Sequence, residues 1–214
     1  MKYGVTIDAK NTLTEWGLIL LANVKAEAPT PRTKYIAVPE MDGALDLTEA
    51  LTGRVSYNQR RVTFELYAPL EESAFENARS ALAAYANGRR VKLWLPDDSE
   101  HYFYGRMSIG GRGSYHSGRI AMSMVADPWK YKNAVTTKTV SAAGNVILFS
   151  EGMPTVPTIK ATKAGVTVTL GSVTHTLTVG DNIFTDMVLQ EGDNTLVVAN
   201  MSGKLTITYQ EGRM

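Results

Sequence analysis

Between Met41 and Met107 the chain passes through a polar acidic turn, a long strand, one short helix, a strand, an Asp-Asp turn and a further strand. One amphipathic helix set among period-two segments points to a sheet that the helix covers, because a single apolar stripe buries itself against one neighbouring layer. Pro69 suits a first helical turn, and Glu71 and Glu72 suit its positive end. Phe75, Ala78, Leu82 and Tyr85 then recur at i, i+3, i+7 and i+10, and Asn87-Gly88 supplies the stop, with Arg89 and Arg90 near the negative end. A helix is expected over about residues 69–87.

The segments around it read as strands. Val5 to Ile7 and Leu18 to Leu21 are short apolar runs, and Ala26 to Lys34 is a proline-bearing arm that cannot be helical throughout. From Val55 to Tyr67 the apolar parity changes: Val55 and Tyr57 are odd, whereas Val62, Phe64 and Leu66 are even. A bulge or break near Asn58 to Arg61 is required to keep one apolar face, and a reversal there would expose Arg60 or Arg61. Strands are expected at Val91 to Leu95, His101 to Met107 and Arg119 to Val125, joined by the turn Pro96 to Ser99 and by a long hairpin tip, Gly110 to Gly118.

At about Asp127 to Asn133 the texture changes. Asp-Pro-Trp is expected to close the strand series, and beyond it threonine and valine alternate with almost no helical period. Gly171-Ser172 fits a two-residue hairpin turn, which places Val166, Val168 and Leu170 across from Val173, His175, Leu177 and Val179. The expected fold class is mainly β with one α-helix, divided into an N-terminal β-sandwich or barrel-like domain over residues 1–133 and a small C-terminal β-sandwich over residues 134–214.

The charge pattern argues against tight nucleic-acid binding. The 214 residues carry a formal charge of +1, with 22 Lys and Arg against 21 Asp and Glu. Residues 134–214 hold five of the basic and six of the acidic residues, so neither part has the excess that phosphate neutralisation demands. The absence of cysteine removes disulfides and thiolate chemistry and fits synthesis in a reducing cytosol. The most apolar run, Trp16 to Val24, is about half of the roughly 20 residues that a membrane helix needs, and the start of the chain lacks signal-peptide form. A soluble chain without a targeting segment is expected.

Catalytic chemistry finds little support in the spacing. His101, His116 and His175 lie in no ligand-like pattern, and Asp97-Asp98 after Pro96 reads as a turn. Gly110, Gly111 and Gly113 connect strand to strand and lack the lysine of a phosphate loop, and the serines show no nucleophile elbow. No enzyme activity, metal or cofactor is expected. Sugar stacking by the C-terminal part has little to use, because Trp16, Trp94 and Trp129 all precede it. Paired arginines at Arg60, Arg61, Arg89 and Arg90 are candidates for contacts between subunits or with a lumen, with solvated element ends as the plain alternative. Arg112, Tyr115 and His116 are candidates for contact at the hairpin tip.

With these elements placed, the chain resembles the distal tail protein (Dit) family of long-tailed siphophages. The resemblance rests on Val38 to Gly53 (VPEMDGALDLTEALTG), Ser56 to Leu66 (SYNQRRVTFEL), the helix, Asn87 to Met107 and the Asp127-Pro128 close. It continues in Glu191 to Val198 (EGDNTLVV) and Leu205 to Arg213 (LTITYQEGR), and so covers nearly the whole chain in order. It implies an N-terminal domain that forms a six-membered ring and a C-terminal galectin-like sandwich that projects outward. The implied role is structural: a homohexameric hub at the distal end of a virion tail, made in the bacterial host cytoplasm. The hub would join the tube to the tip or baseplate and leave a channel for DNA that is not specifically bound. The implied partners are further copies of itself, the major tail or tube protein, the tape measure protein and the tail-associated or baseplate proteins, with no membrane. A glycan-binding adhesion module, or a tube or ring protein of a related tail-like machine, are the alternative readings.

Overall fold

The computed structural model describes residues 3–50, 52–69, 71–110 and 118–214. The chain divides into two compact units, Met1–Pro128 and Trp129–Met214. In the first, β1 (Thr6–Ile7), β2 (Lys10–Asn11), α1 (Thr12–Trp16), β3 (Ile19–Leu20) and β4 (Lys25–Ala26) precede a separate hairpin of β5 (Tyr35–Ile36) and β6 (Leu45–Asp46). They are followed by β7 (Arg60–Tyr67), α2 (Glu72–Ala86), β8 (Arg90–Leu95), β9 (Asp98–Ile109) and β10 (Arg119–Lys132). The main sheet has the order β2-β1-β8-β9-β10-β7-β3, and β4 also pairs with β7.

The even positions of β7 are buried: Val62, Phe64 and Leu66 enter one core with Val91, Leu93, Phe103, Met107, Ile120, Met122 and Met124. Helix α2 covers this face with Phe75, Leu82 and Ala86. Each fully buried side chain of this size contributes roughly 1.5–3 kcal/mol of transfer free energy, which secures a helix whose N-cap, Glu71, makes no side-chain capping bond. The helix stops where Asn87 turns extended and Gly88 takes a φ of 74°. The Asn87 side chain is then free to accept a hydrogen bond from the Ile109 amide at 3.0 Å.

The parity change before β7 corresponds to a real break. Tyr57 belongs to an isolated bridge with Pro31, and the continuous strand starts only at Arg60. Two expectations need correction. Helix α1 adds to the one helix expected: the Leu13 amide donates to Asn11 Oδ1 at 3.0 Å to cap it, and Gly17 ends it at a φ of 67°. Five residues are too few to show a helical period. The second concerns Asp127-Pro128, which does not close a strand, because β10 runs through Pro128 to Lys132. Registered pairing with β7 ends at Ala126, so Pro128 withholds no donor from that ladder.

The second unit contains β11 (Thr136–Val140), β12 (Gly144–Ser150), β13 (Thr158–Ala161), β14 (Thr167–Leu170), β15 (Val173–Thr176) and β16 (Gly180–Ile183). It ends with β17 (Gly192–Ala199), β18 (Leu205–Tyr209) and β19 (Gly212–Arg213). Two four-stranded antiparallel sheets, β11-β18-β13-β16 and β12-β17-β14-β15, share one core of residues that include Leu148, Ile159, Val168, Leu196 and Ile207. The β14–β15 hairpin turns at Gly171-Ser172, with Val168 opposite His175 and Leu170 opposite Val173. Gly171 supplies the positive φ, 59°, that the tight turn requires. The last residues of β10 pair with β19, setting Lys130 against Arg213 and Tyr131 against Gly212. The protein is thus mainly β, as its alternation indicates.

Candidate assembly surfaces

Odd and even positions of the first unit's sheet face opposite ways, so its outer face is read from register. On β8 and β9, Arg90 lies opposite Arg106 and Lys92 opposite Tyr104. On β10 and β7, Val125 lies opposite Arg61. A Cβ added to Gly105 would stand 2.2 Å from the Val125 carbonyl oxygen and 2.5 Å from the Ala126 Cα, so β9 and β10 meet at this level. The two registered pairs therefore form one row across four strands: Arg90, Arg106, Val125 and Arg61. All four residues are exposed, Val125 to 47%.

Local contacts hold part of this row in place. Arg90 donates from Nη2 to both carboxylate oxygens of Asp127, at 2.9 and 2.8 Å, and its guanidinium carbon lies 4.6 Å from the Tyr104 ring centroid. The Asp127 hydrogen bond raises the Arg90 pKa above its ordinary value. Lys92 stands 4.6 Å from the Tyr102 ring, and Arg106 donates to the Gly88 carbonyl. Contacts of this kind at an open surface contribute little to stability. Their effect is to fix the direction of the charged groups.

Of the arginines singled out by sequence, the fold brings Arg61 and Arg90 to this face and leaves Arg89 exposed just before β8. Arg60 faces the other way. It is 7% exposed, its guanidinium carbon is 4.6 Å from the Phe103 ring, and burial lowers its pKa. Its Nε and Nη2 have no hydrogen-bond partner among the described residues. Arg112, Tyr115 and His116 lie outside the described residues. Arg106 and Lys92 escaped the sequence reading, although their alternation with Val91, Leu93 and Phe103 was a usable signal.

The second surface is the β5–β6 hairpin, where Tyr35 pairs with Asp46 and Ile36 with Leu45. Tyr35, Ile36, Val38, Met41 and Leu45 are all exposed large hydrophobic residues. The segment from Tyr35 to Glu49 contains Glu40, Asp42, Asp46 and Glu49 and neither Lys nor Arg. Its base is tied by the Leu47 amide to the Lys34 carbonyl at 2.8 Å, and by the Lys34 amide to Thr48 Oγ1 at 3.1 Å. Asp46 accepts from the Thr48 amide at 2.9 Å, and its contacts with Thr48 lower its pKa.

The two described histidines, His101 and His175, make local contacts. His101 is buried with Nδ1 3.3 Å from Asp98 Oδ1 at the start of β9. His175 Nε2 lies 2.9 and 3.0 Å from the two Asp186 carboxylate oxygens, and its ring stacks on Phe184 at 3.9 Å. Among the described residues, no group of three or more His, Cys, Asp or Glu is placed to hold a metal ion. No described helix is long and apolar enough to cross a membrane.

No protein-family model matches the sequence. No curated protein matches it either. Among solved structures, the chain is similar to the Dit (gp 19.1) protein of SPP1, described as a paradigm of the hub adsorption apparatus in phages infecting Gram-positive hosts. The similarity spans 99% of both chains with a TM-score of 0.67 and a sequence identity of 14%. What the two share is a fold, and they share it from end to end.

Proposed function

We propose that the protein is a structural component of a bacteriophage tail, a hub at the distal end of a siphophage particle. Six copies close a ring through the first unit, join the tail tube to the tip or baseplate, and leave a channel through which DNA passes without specific binding. The observation that carries this reading is the fold correspondence with a hub protein over 99% of both chains. A formal charge of +1 suits a conduit that must not retain DNA. The partners are the neighbouring copies, the tube and tape measure proteins, and the tail-associated proteins. The chemistry of the protein is assembly and not catalysis.

Light-scattering mass over a concentration series, combined with negative-stain imaging, tests the ring. The expected result is a mass near six subunits and six-fold class averages. A strict monomer at every concentration would remove the self-closing ring.

A further inference from the structure

We propose that the acidic hairpin β5–β6 of one copy seats on the arginine row of the next copy, and that this contact is the repeating joint of the ring. The inference rests on the ring reading above and names the surfaces that would make it. A two-stranded hairpin is at best marginally stable in water, and this one presents Ile36, Val38, Met41 and Leu45 to solvent. Exposed apolar side chains gathered on one ordered element mark a surface that is covered in use.

Charge decides what covers it. Glu40, Asp42 and Glu49 make no ion pair among the described residues, and no basic residue lies between Tyr35 and Glu49. The outer face of the same unit offers the complement. Arg61 and Arg106 also make no ion pair among the described residues, and they flank the exposed apolar Val125. The hairpin is acidic with an apolar centre, and the row is basic with an apolar centre. Both surfaces are exposed in one chain, so neither satisfies the other within the molecule. The partner that matches the hairpin is therefore a second copy of this chain.

Because hairpin and row are different patches, the contact is head-to-tail. Each copy gives its hairpin to one neighbour and its row to the other, which is the geometry that closes a ring. The same polarity provides a decisive experiment. Variant A carries Glu40→Lys and Asp42→Lys; variant B carries Arg61→Glu and Arg106→Glu. Alone, A opposes a hairpin with a basic tip to a basic row, and B opposes an acidic hairpin to an acidic row. Mixed, every A-to-B and B-to-A contact is complementary, and an even-numbered ring closes by alternation.

The expected result is that A and B are each monomeric by light scattering, that both keep the wild-type circular dichroism, and that an equimolar mixture regains the wild-type mass. If A and B assemble alone as the wild type does, the ring stands and this joint is overturned. If the mixture forms no A–B complex, the joint is overturned whatever the wild type does. If the wild type is monomeric but A and B associate with each other more tightly than with themselves, the joint stands and the self-closing ring fails.

Discussion

Glu211 is 3% exposed and leaves one carboxylate oxygen, Oε2, without a hydrogen-bond partner among the described residues. Its other oxygen accepts from Thr136 and lies 3.2 Å from Lys132 Nζ, which also reaches Glu151 at 3.0 Å. Removing the lysine strands a buried anion, so Lys132→Met is expected to cost about 2–4 kcal/mol in urea unfolding. The hydrogen bond to Glu151 comes first among the contacts that raise the Lys132 pKa, and burial raises that of the Tyr209 phenol. In both cases the folded chain keeps a proton that the unfolded chain releases near pH 10, so this stability is complete below about pH 10 and is lost as pH rises further. The fall from pH 8 to pH 11 should be smaller in Lys132→Met, and an equal fall in both proteins would refute the assignment. At this scale the sequence is a poor guide. Arg60 and Arg61 are neighbours in one dipeptide, yet strand alternation buries the first over Phe103 and exposes the second.

At the scale of elements, much was legible because the signals are local. The stripe Phe75, Ala78, Leu82, Tyr85 and the stop at Asn87-Gly88 describe a helix now placed at Glu72–Ala86, and Gly171-Ser172 describes the β14–β15 hairpin. Helix α1 was hidden, since its docking depends on Trp16 meeting Tyr85 at 5.6 Å, a contact between residues far apart in the chain. The continuation of β10 past Pro128 was hidden for a related reason: whether a missing N–H matters depends on which strand lies alongside. Gly105 illustrates the same dependence, because nothing in its local sequence announces that the backbone of β10 occupies the place of its side chain. Gly105→Ala must force β9 and β10 apart, at an expected cost of about 3 kcal/mol. Urea midpoints for wild type and variant check this, and a loss below about 0.5 kcal/mol would show that the two strands tolerate separation.

At the scale of the molecule, the mainly β class could be read from alternation, whereas the arginine row could not. Its members come from four separate strands, and only the registers Arg90 to Arg106 and Val125 to Arg61 bring them into line. Sequence singled out Arg60, Arg61, Arg89 and Arg90 because they sit in conspicuous pairs, and it passed over Arg106 because that residue stands alone between Gly105 and Met107. If the hairpin and the row form the joint, assembly must weaken with salt, since screening contracts from about 10 Å at 0.1 M to about 3 Å at 1 M. The protein concentration at half-assembly is expected to rise about tenfold over that range, a change worth roughly 1.4 kcal/mol. Light scattering at the two salt concentrations measures it, and tighter assembly in 1 M salt would indicate a joint made by apolar contact alone.

If that joint holds, the separation of the acidic hairpin from the basic row would also govern the order of events while a ring grows. An incomplete arc always carries one unseated hairpin at one end and one vacant row at the other. Two arcs can join in only one sense, and like ends repel. Once the arc is long enough for its own ends to approach, the final contact becomes intramolecular and proceeds at the high effective concentration of tethered groups. Closed rings would then accumulate at protein concentrations where a single isolated joint is mostly open, and partly built arcs would be scarce.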